Sequence, residues 1–173
     1  ISHGLTALAD AAAKLAGEEI HFAFVGEGSA KHDLERRVAE LNLDNVSLLP
    51  GVPRDEVPEL LAAADICLVP LRDVPLFSTF IPSKIFEYFG AAKAVVGSVR
   101  GEPAAILREG GAVVVDPEDD AAIAGAVREL AGDPDRRAAM GERAREYVAE
   151  HFDRRVLAAR YRELMASVAG KAA

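Results

Sequence analysis

Ile81-Pro82-Ser83-Lys84-Ile85-Phe86-Glu87-Tyr88-Phe89-Gly90, followed closely by Lys93-Ala94-Val95-Val96-Gly97-Ser98, carries the plan of this protein in miniature. The first block reads as the end of a loop and a short helix. The second reads as a buried strand. Proline suits the first helical turn, because the N–H it lacks would have no intrahelical partner there. The helix is therefore placed from Pro82. The N–H groups behind such a start, with the positive end of the helix dipole, favour an anion. Lys84 adds a full positive charge, and Glu87, three residues on, lies on roughly the same face.

Outward from this stretch the alternation continues. Helices are expected at about 5–16, 31–41 and 55–63, then at 103–108, 119–130, 134–151 and 154–168. Strands are expected at 20–25, 46–51, 65–70, 94–97 and 112–115. The run Asp65-Ile66-Cys67-Leu68-Val69-Pro70 has hardly any polar alternation, as in a strand covered on both faces. Strands alternating with helices signal βαβ units. The expected fold is α/β: a Rossmann-like parallel sheet of about six strands with helices on both faces. Ligands in such sheets bind outside the carboxyl ends of the strands.

The chain has 173 residues, half of them hydrophobic, enough for one domain with a full core. Its formal charge of −8 argues against nucleic acid as a partner, since phosphate-backbone binding needs a basic surface. A small anion needs only a local positive site and is not excluded. One cysteine, Cys67, permits no internal disulfide and fits a reducing compartment; its apolar surroundings read as those of a buried small hydrophobe. No apolar run approaches the ~20 residues of a membrane span, and no signal peptide is legible. The opening Ile1-Ser2-His3-Gly4 leads at once into an amphipathic helix, which reads as a cut inside a larger protein.

Three loops have special chemistry. Gly26-Glu27-Gly28-Ser29 follows a strand and opens a helix, where glycines let backbone approach a ligand. It lacks the third glycine of a dinucleotide fingerprint and is equally readable as a plain turn. Pro50-Gly51-Val52-Pro53 ends another strand; Gly51 would give a base or ribose room to lie against the chain, and the stretch is equally readable as a simple strand-ending turn. The third is the loop into Ser83, Lys84 and Glu87. A cation and a carboxylate at a helix start can hold a phosphate and a neighbouring hydroxyl, though alone they are also readable as a solvated ion pair. Glu102, after Gly101, fits a carboxylate favoured by a helix dipole. The four histidines are scattered without metal-ligand spacing. Ser78, Ser83 and Ser98 lack a nucleophile-elbow context.

Together these pieces resemble the carboxyl-terminal, donor-binding domain of a two-domain GT-B glycosyltransferase of family four, the group 1 glycosyltransferases. The resemblance runs through Phe24-Val25-Gly26-Glu27-Gly28, Val46 to Val52, Ala64-Asp65-Ile66, Pro82-Ser83-Lys84-Ile85-Phe86-Glu87-Tyr88, Gly101-Glu102, Asp133-Pro134 and Met140-Gly141. The form Pro-Ser-Lys-Ile-x-Glu-Tyr is similar to the branch that includes bacterial surface-polysaccharide enzymes.

The resemblance implies a role for each residue. Glu87 matches the second glutamate of a Glu-x7-Glu motif and would bind the donor's ribose hydroxyls. The first glutamate would fall at Thr79, a departure that leaves sugar selection open. A diphosphate-binding lysine of relatives would fall at His3, and Lys84 would take over its charge. Gly26 and Gly28 would border the donor, Gly51 and Val52 would flank the base, and Ser83 with the amides after it the pyrophosphate. The implied reaction is retaining transfer of a sugar from a nucleoside diphosphate sugar to a saccharide or lipid-linked acceptor. Neither a metal nor another cofactor is implied. The acceptor would be held by an amino-terminal domain outside this chain, in a cytoplasmic protein, with peripheral contact at the inner face of the membrane. A chain cut within its first βα unit should show a gap or an exposed apolar surface in its sheet. A non-catalytic flavodoxin-like nucleotide-binding or signalling module and a GT-B sugar-nucleotide epimerase are the competing readings.

Overall fold

The computed structural model describes residues 4–169, so His3 lies outside the described residues. In chain order the elements are α1 (Leu5–Lys14), β1 (Phe22–Val25), α2 (Lys31–Glu40), β2 (Val46–Leu49), α3 (Val57–Ala63) and β3 (Ile66–Pro70). There follow a 3-10 turn (Pro75–Ser78), α4 (Lys84–Gly90), β4 (Ala94–Ser98), α5 (Glu102–Glu109) and β5 (Val113–Val115). Three helices complete the order: α6 (Asp120–Ala131), α7 (Pro134–Phe152) and α8 (Arg154–Ala169).

Every strand pairing is parallel. The single sheet of about six strands is not what forms, however. Among the described residues β1 and β2 make a two-stranded sheet, and β3-β4-β5 a separate three-stranded one. No hydrogen-bonded ladder joins β1 to β3.

Both sheets point the same way, and α1 shows it. Gly4, at its start, sits against the carbonyl of Leu71, just past the end of β3. Near its other end the Ala12 carbonyl accepts the Asn45 side-chain amide at 2.9 Å, and Asn45 immediately precedes β2. Thus α1 runs from the carboxyl end of one sheet to the amino end of the other. The turns after all five strands therefore gather at one edge.

Two hydrophobic clusters lie on opposite faces. One joins Leu8, Ala11, Ala12 and Leu15 of α1 and its C-cap to Ile123, Val127 and Leu130 of α6, with Phe22 and Val96 from the two sheets. The other joins Cys67, Val69 and Val95 to Ile85, Phe89, Leu107 and Ala144. All five residues of β4 are buried, as its unbroken apolar run implied. Close helix-to-backbone contact needs small residues. At Gly141 a Cβ would overlap the Ala92 carbonyl, and at Gly110 the ring of Phe89.

The helix expected from Pro82 begins two residues later. Pro82 is buried and precedes it, and Ser83 is its N-cap residue. Its first bonds are short turns, Ile85 N–H to Pro82 carbonyl at 3.2 Å and Phe86 N–H to Ser83 carbonyl at 3.1 Å. The fixed proline φ thus serves a preparatory turn that aims the helix, rather than its first residue.

Candidate functional site

Gly26 follows β1 with φ +135°, a backbone region that side chains rarely adopt. Its N–H donates to the Leu49 carbonyl at 3.2 Å, which ties the turns after β1 and β2 together. A Cβ on Gly51 would stand 3.8 Å from the Gly26 Cα, so the two glycine turns meet backbone to backbone. No atom would oppose a side chain at Gly26 or Gly28. Val52 beside them is exposed. Glu27 and Lys31, 2.7 Å apart, clamp the turn to the start of α2. The two weakest signals of the sequence therefore form one small, uncluttered floor.

At the start of α4, Ser83, Lys84 and Glu87 are exposed, while Ile85 and Phe89 anchor the opposite face at 0% and 1% exposure. The Ser83 side chain makes no capping bond. Lys84 and Glu87 do not form the i,i+3 ion pair that the bland reading allowed. Among the described residues neither side chain makes a hydrogen bond or salt bridge, while the Glu87 N–H donates to the Ser83 carbonyl at 3.4 Å. Behind them Tyr88 is held neutral. Burial pushes its hydroxyl well above the ordinary phenol range, and the nearby Cys67 and Glu87 add to the shift.

The loop between β3 and α4 is tied to its neighbours by residues that the sequence reading passed over. Arg100, just after β4, donates to both carboxylate oxygens of Asp73 at 2.9 Å and to Asp116 at 3.2 Å. The hydrogen bond from Arg100, with its charge, holds the Asp116 carboxyl below the ordinary range. Glu118, with φ +60°, accepts the Asp73 N–H at 2.9 Å and donates its own N–H to the Ser98 hydroxyl at 3.0 Å. Ser98, read only as a rejected nucleophile, instead donates to the Asp116 carbonyl at 3.1 Å. The turns after β3, β4 and β5 are thereby one network. The available signal was that Arg100 and Asp116 each stand just beyond an apolar strand.

A cleft of about 230 Å³ lies in this network, with Leu71, Phe77, Ser78, Arg100 and Pro117 on its walls. None of the residues selected from sequence lines it. Thr79, where the resemblance expects a glutamate, is exposed and donates its hydroxyl to the Leu76 carbonyl at 3.3 Å. A second depression, near 390 Å³, involves Gly17 to His21 with Asp44 and Asn45. It lies at the amino ends of β1 and β2, the wrong edge for a ligand in such a sheet. Glu102 opens α5 as expected. Among the described residues no cluster of His, Cys, Asp and Glu could hold a metal ion, and no helix is long and apolar enough to cross a membrane.

Residues 2–147 match the family described as glycosyl transferases group 1. The chain belongs to this family. Among curated proteins, 2-deoxystreptamine glucosyltransferase of Streptomyces kanamyceticus is 31% identical over 110 residues, which is 63% of this chain and 24% of that protein. Sucrose-phosphate synthase from Thermosynechococcus elongatus superposes with a TM-score of 0.79 at 22% identity, over 96% of this chain and 43% of that one. Anabaena HepE, solved with UDP-glucose, gives 0.80 at 20% identity, over 95% and 45%. These two likenesses show the fold, one half of GT-B. The chain spans about a quarter of its curated relative and less than half of either solved chain. Membership of group 1 sets aside the flavodoxin-like signalling module.

Proposed function

We propose that this group 1 domain is the donor-binding half of a retaining glycosyltransferase. It takes a nucleoside diphosphate sugar and serves transfer to a saccharide or lipid-linked acceptor held by another domain. The observation that carries the reading is the gathering of the paired glycine turns with Lys84 and Glu87, whose side chains have no partner among the described residues, at the carboxyl edge of the strands. UDP-glucose in the HepE structure supports a nucleotide sugar as the donor class.

In this reading the nucleoside lies over the Gly26 and Gly51 turns, beside Val52, and Glu87 accepts hydrogen bonds from the ribose. Ser83 and the backbone after it face the diphosphate, and Lys84 neutralises the charge that develops as the diphosphate leaves. Fixed donors aimed at that charge stabilise the transition state without a metal. Thr79 supplies no carboxylate to the sugar, so sugar selection falls to other groups. A surface-polysaccharide role, a cytoplasmic site of action and peripheral membrane contact belong to the same proposal.

Titration calorimetry of the full-length protein with UDP, GDP and their sugars tests it. Binding of a nucleoside diphosphate that weakens on loss of Glu87 supports the donor site. Failure of every nucleotide to bind overturns it, and turnover of sugar nucleotide without acceptor favours an epimerase. Transfer needs donor and acceptor fixed together, because the gain in effective molarity comes from both. Residues 1–173 alone should therefore transfer no sugar to acceptors that the full-length protein uses.

A further inference from the structure

Glu118 stands in the left-handed region at φ +60°, a strained place for a residue with a side chain. Such strain persists only where the surroundings over-determine it. Here three groups do. The Glu118 N–H donates to the buried Ser98 hydroxyl at 3.0 Å, and the Glu118 carboxylate accepts the Asp73 N–H at 2.9 Å. The Arg72 guanidinium lies 3.9 Å from the same carboxylate. Arg100 holds the Asp73 side chain through both of its carboxylate oxygens and is itself tied to Asp116. Asp73 is thus gripped at backbone and side chain by residues that follow two different strands. Exposed ion pairs usually contribute little, but a bidentate arginine within a network is the exception.

The grip holds a loop with little else to fix it. Among the described residues every hydrogen bond of residues 74–81 stays within 72–80. Phe77 packs on the second core and the Ser78 carbonyl abuts Gly101. The cleft of about 230 Å³ is walled by Asp73, Phe77 and Ser78 of the loop and by Arg100 and Pro117 beyond the strands. Leu76 and Phe80 are exposed at 72% and 44%. From Val74 to Ser83 the loop carries no charge. The Ser78 and Thr79 hydroxyls spend their protons on the Pro75 and Leu76 carbonyls, so toward a ligand both oxygens are acceptors. Such a wall selects by shape and by accepting hydroxyl protons, not by charge. Selection by shape requires a wall that is held still.

We propose that Arg100 and Glu118 are positioning residues that fix, through Asp73, the wall against which the sugar of the donor lies. The proposal rests on the donor-binding reading above, in which the diphosphate is held at Ser83 and Lys84. The sugar is bonded to that diphosphate and lies beside the loop that ends at Ser83. Neither Arg100 nor Glu118 touches the donor; both act on the path of residues 74–81. The nucleoside, on the Gly26 and Gly51 turns, is outside their reach. Loss of the grip therefore costs sugar selection and spares the nucleotide.

Calorimetry of the full-length protein tests this. It compares UDP with UDP-glucose, UDP-galactose and UDP-N-acetylglucosamine, and GDP with GDP-mannose and GDP-fucose. The unsubstituted protein should separate the sugars on one base by roughly tenfold or more, the scale on which shape discriminates. Arg100→Ala and Glu118→Ala should leave binding of the bare nucleoside diphosphate unchanged and collapse that separation. Hydrogen exchange across residues 74–81 should quicken in both. Asp73→Ala should behave likewise, and adding Arg100→Ala to it should cost little more, since a shared interaction is lost only once. Glu118→Gly distinguishes positioning from stability. Glycine suits φ +60°, so this variant should melt above Glu118→Ala yet lose sugar selection equally. A loss that follows the melting temperature overturns the proposal. So does equal weakening of nucleotide and sugar nucleotide, or an unsubstituted protein that binds nucleotide without separating the sugars. Failure of the unsubstituted protein to bind any nucleotide instead overturns the donor reading, and the proposal with it.

Discussion

Replacing Gly101 by alanine should loosen the site from a distance, and the size of the effect can be worked out. Gly101 has φ +71° and ψ −138°, close to a region open almost to glycine alone. Holding a side-chain-bearing residue there costs about 1–3 kcal/mol. The added Cβ would also overlap the carbonyl of Ser78, which is backbone and cannot swing aside. Overpacking of that kind costs about 1–3 kcal/mol more. A total loss of at least ~2 kcal/mol is expected; with a urea slope of roughly 2 kcal/mol/M, the unfolding midpoint falls by ~1 M or more. Gly17→Ala is the control: φ is +83°, but no atom lies within 4 Å of the new Cβ. That variant should lose only the backbone term, about 1 kcal/mol. If the Ser78 turn yields instead, the loss shrinks toward the control. Amides of residues 73–80 then exchange faster, because the turn has left Gly101. A Gly101→Ala protein that melts with the control and shows unchanged exchange in that loop would refute the reasoning.

Three further outcomes are expected. Glu87→Ala and Lys84→Ala should each weaken UDP or GDP binding by roughly 10- to 150-fold, the scale of a charge-assisted hydrogen bond. Only the Glu87 change should equally weaken the free nucleoside, and calorimetry on uridine and UDP separates the two. Alkaline pH should unfold the protein early. Burial pushes the Cys67 thiol from 9.0 up to about 11 and, with the Glu109 hydrogen bond, the Tyr147 hydroxyl from 10.0 up to about 12. A raised folded value keeps its stabilisation below the unfolded one and loses it as pH climbs through the folded one. Urea midpoints should thus hold to pH 9 and decline between 9 and 12, and Cys67→Ser should flatten the first part of that decline. Gly125→Ala, in the middle of α6 with no atom within 4 Å of the new Cβ, should stabilise the fold by about 0.5–1 kcal/mol in thermal melts.

The sequence alone was enough for the α/β class, the order of strands and helices, the burial of Cys67 and β4, and the family. These rest on patterns that short stretches state for themselves: apolar runs of strand length, glycine and proline at turns, and the Pro82 to Tyr88 block. The boundaries it missed are those where local preference lost to packing, as where Pro82 is buried in a preparatory turn and α4 starts at Lys84. Tertiary structure decided what meets what. It alone placed Gly51 against Gly26, left the side chains of Lys84 and Glu87 without partners among the described residues, and joined Asp73, Ser98, Arg100, Asp116 and Glu118 across three loops. It alone divided the expected single sheet into two and strung α1 across the division. The reason is range. Periodicity and turn chemistry act over a few neighbouring residues, whereas pairing between strands 17 to 28 residues apart is set by how the helices pack over them.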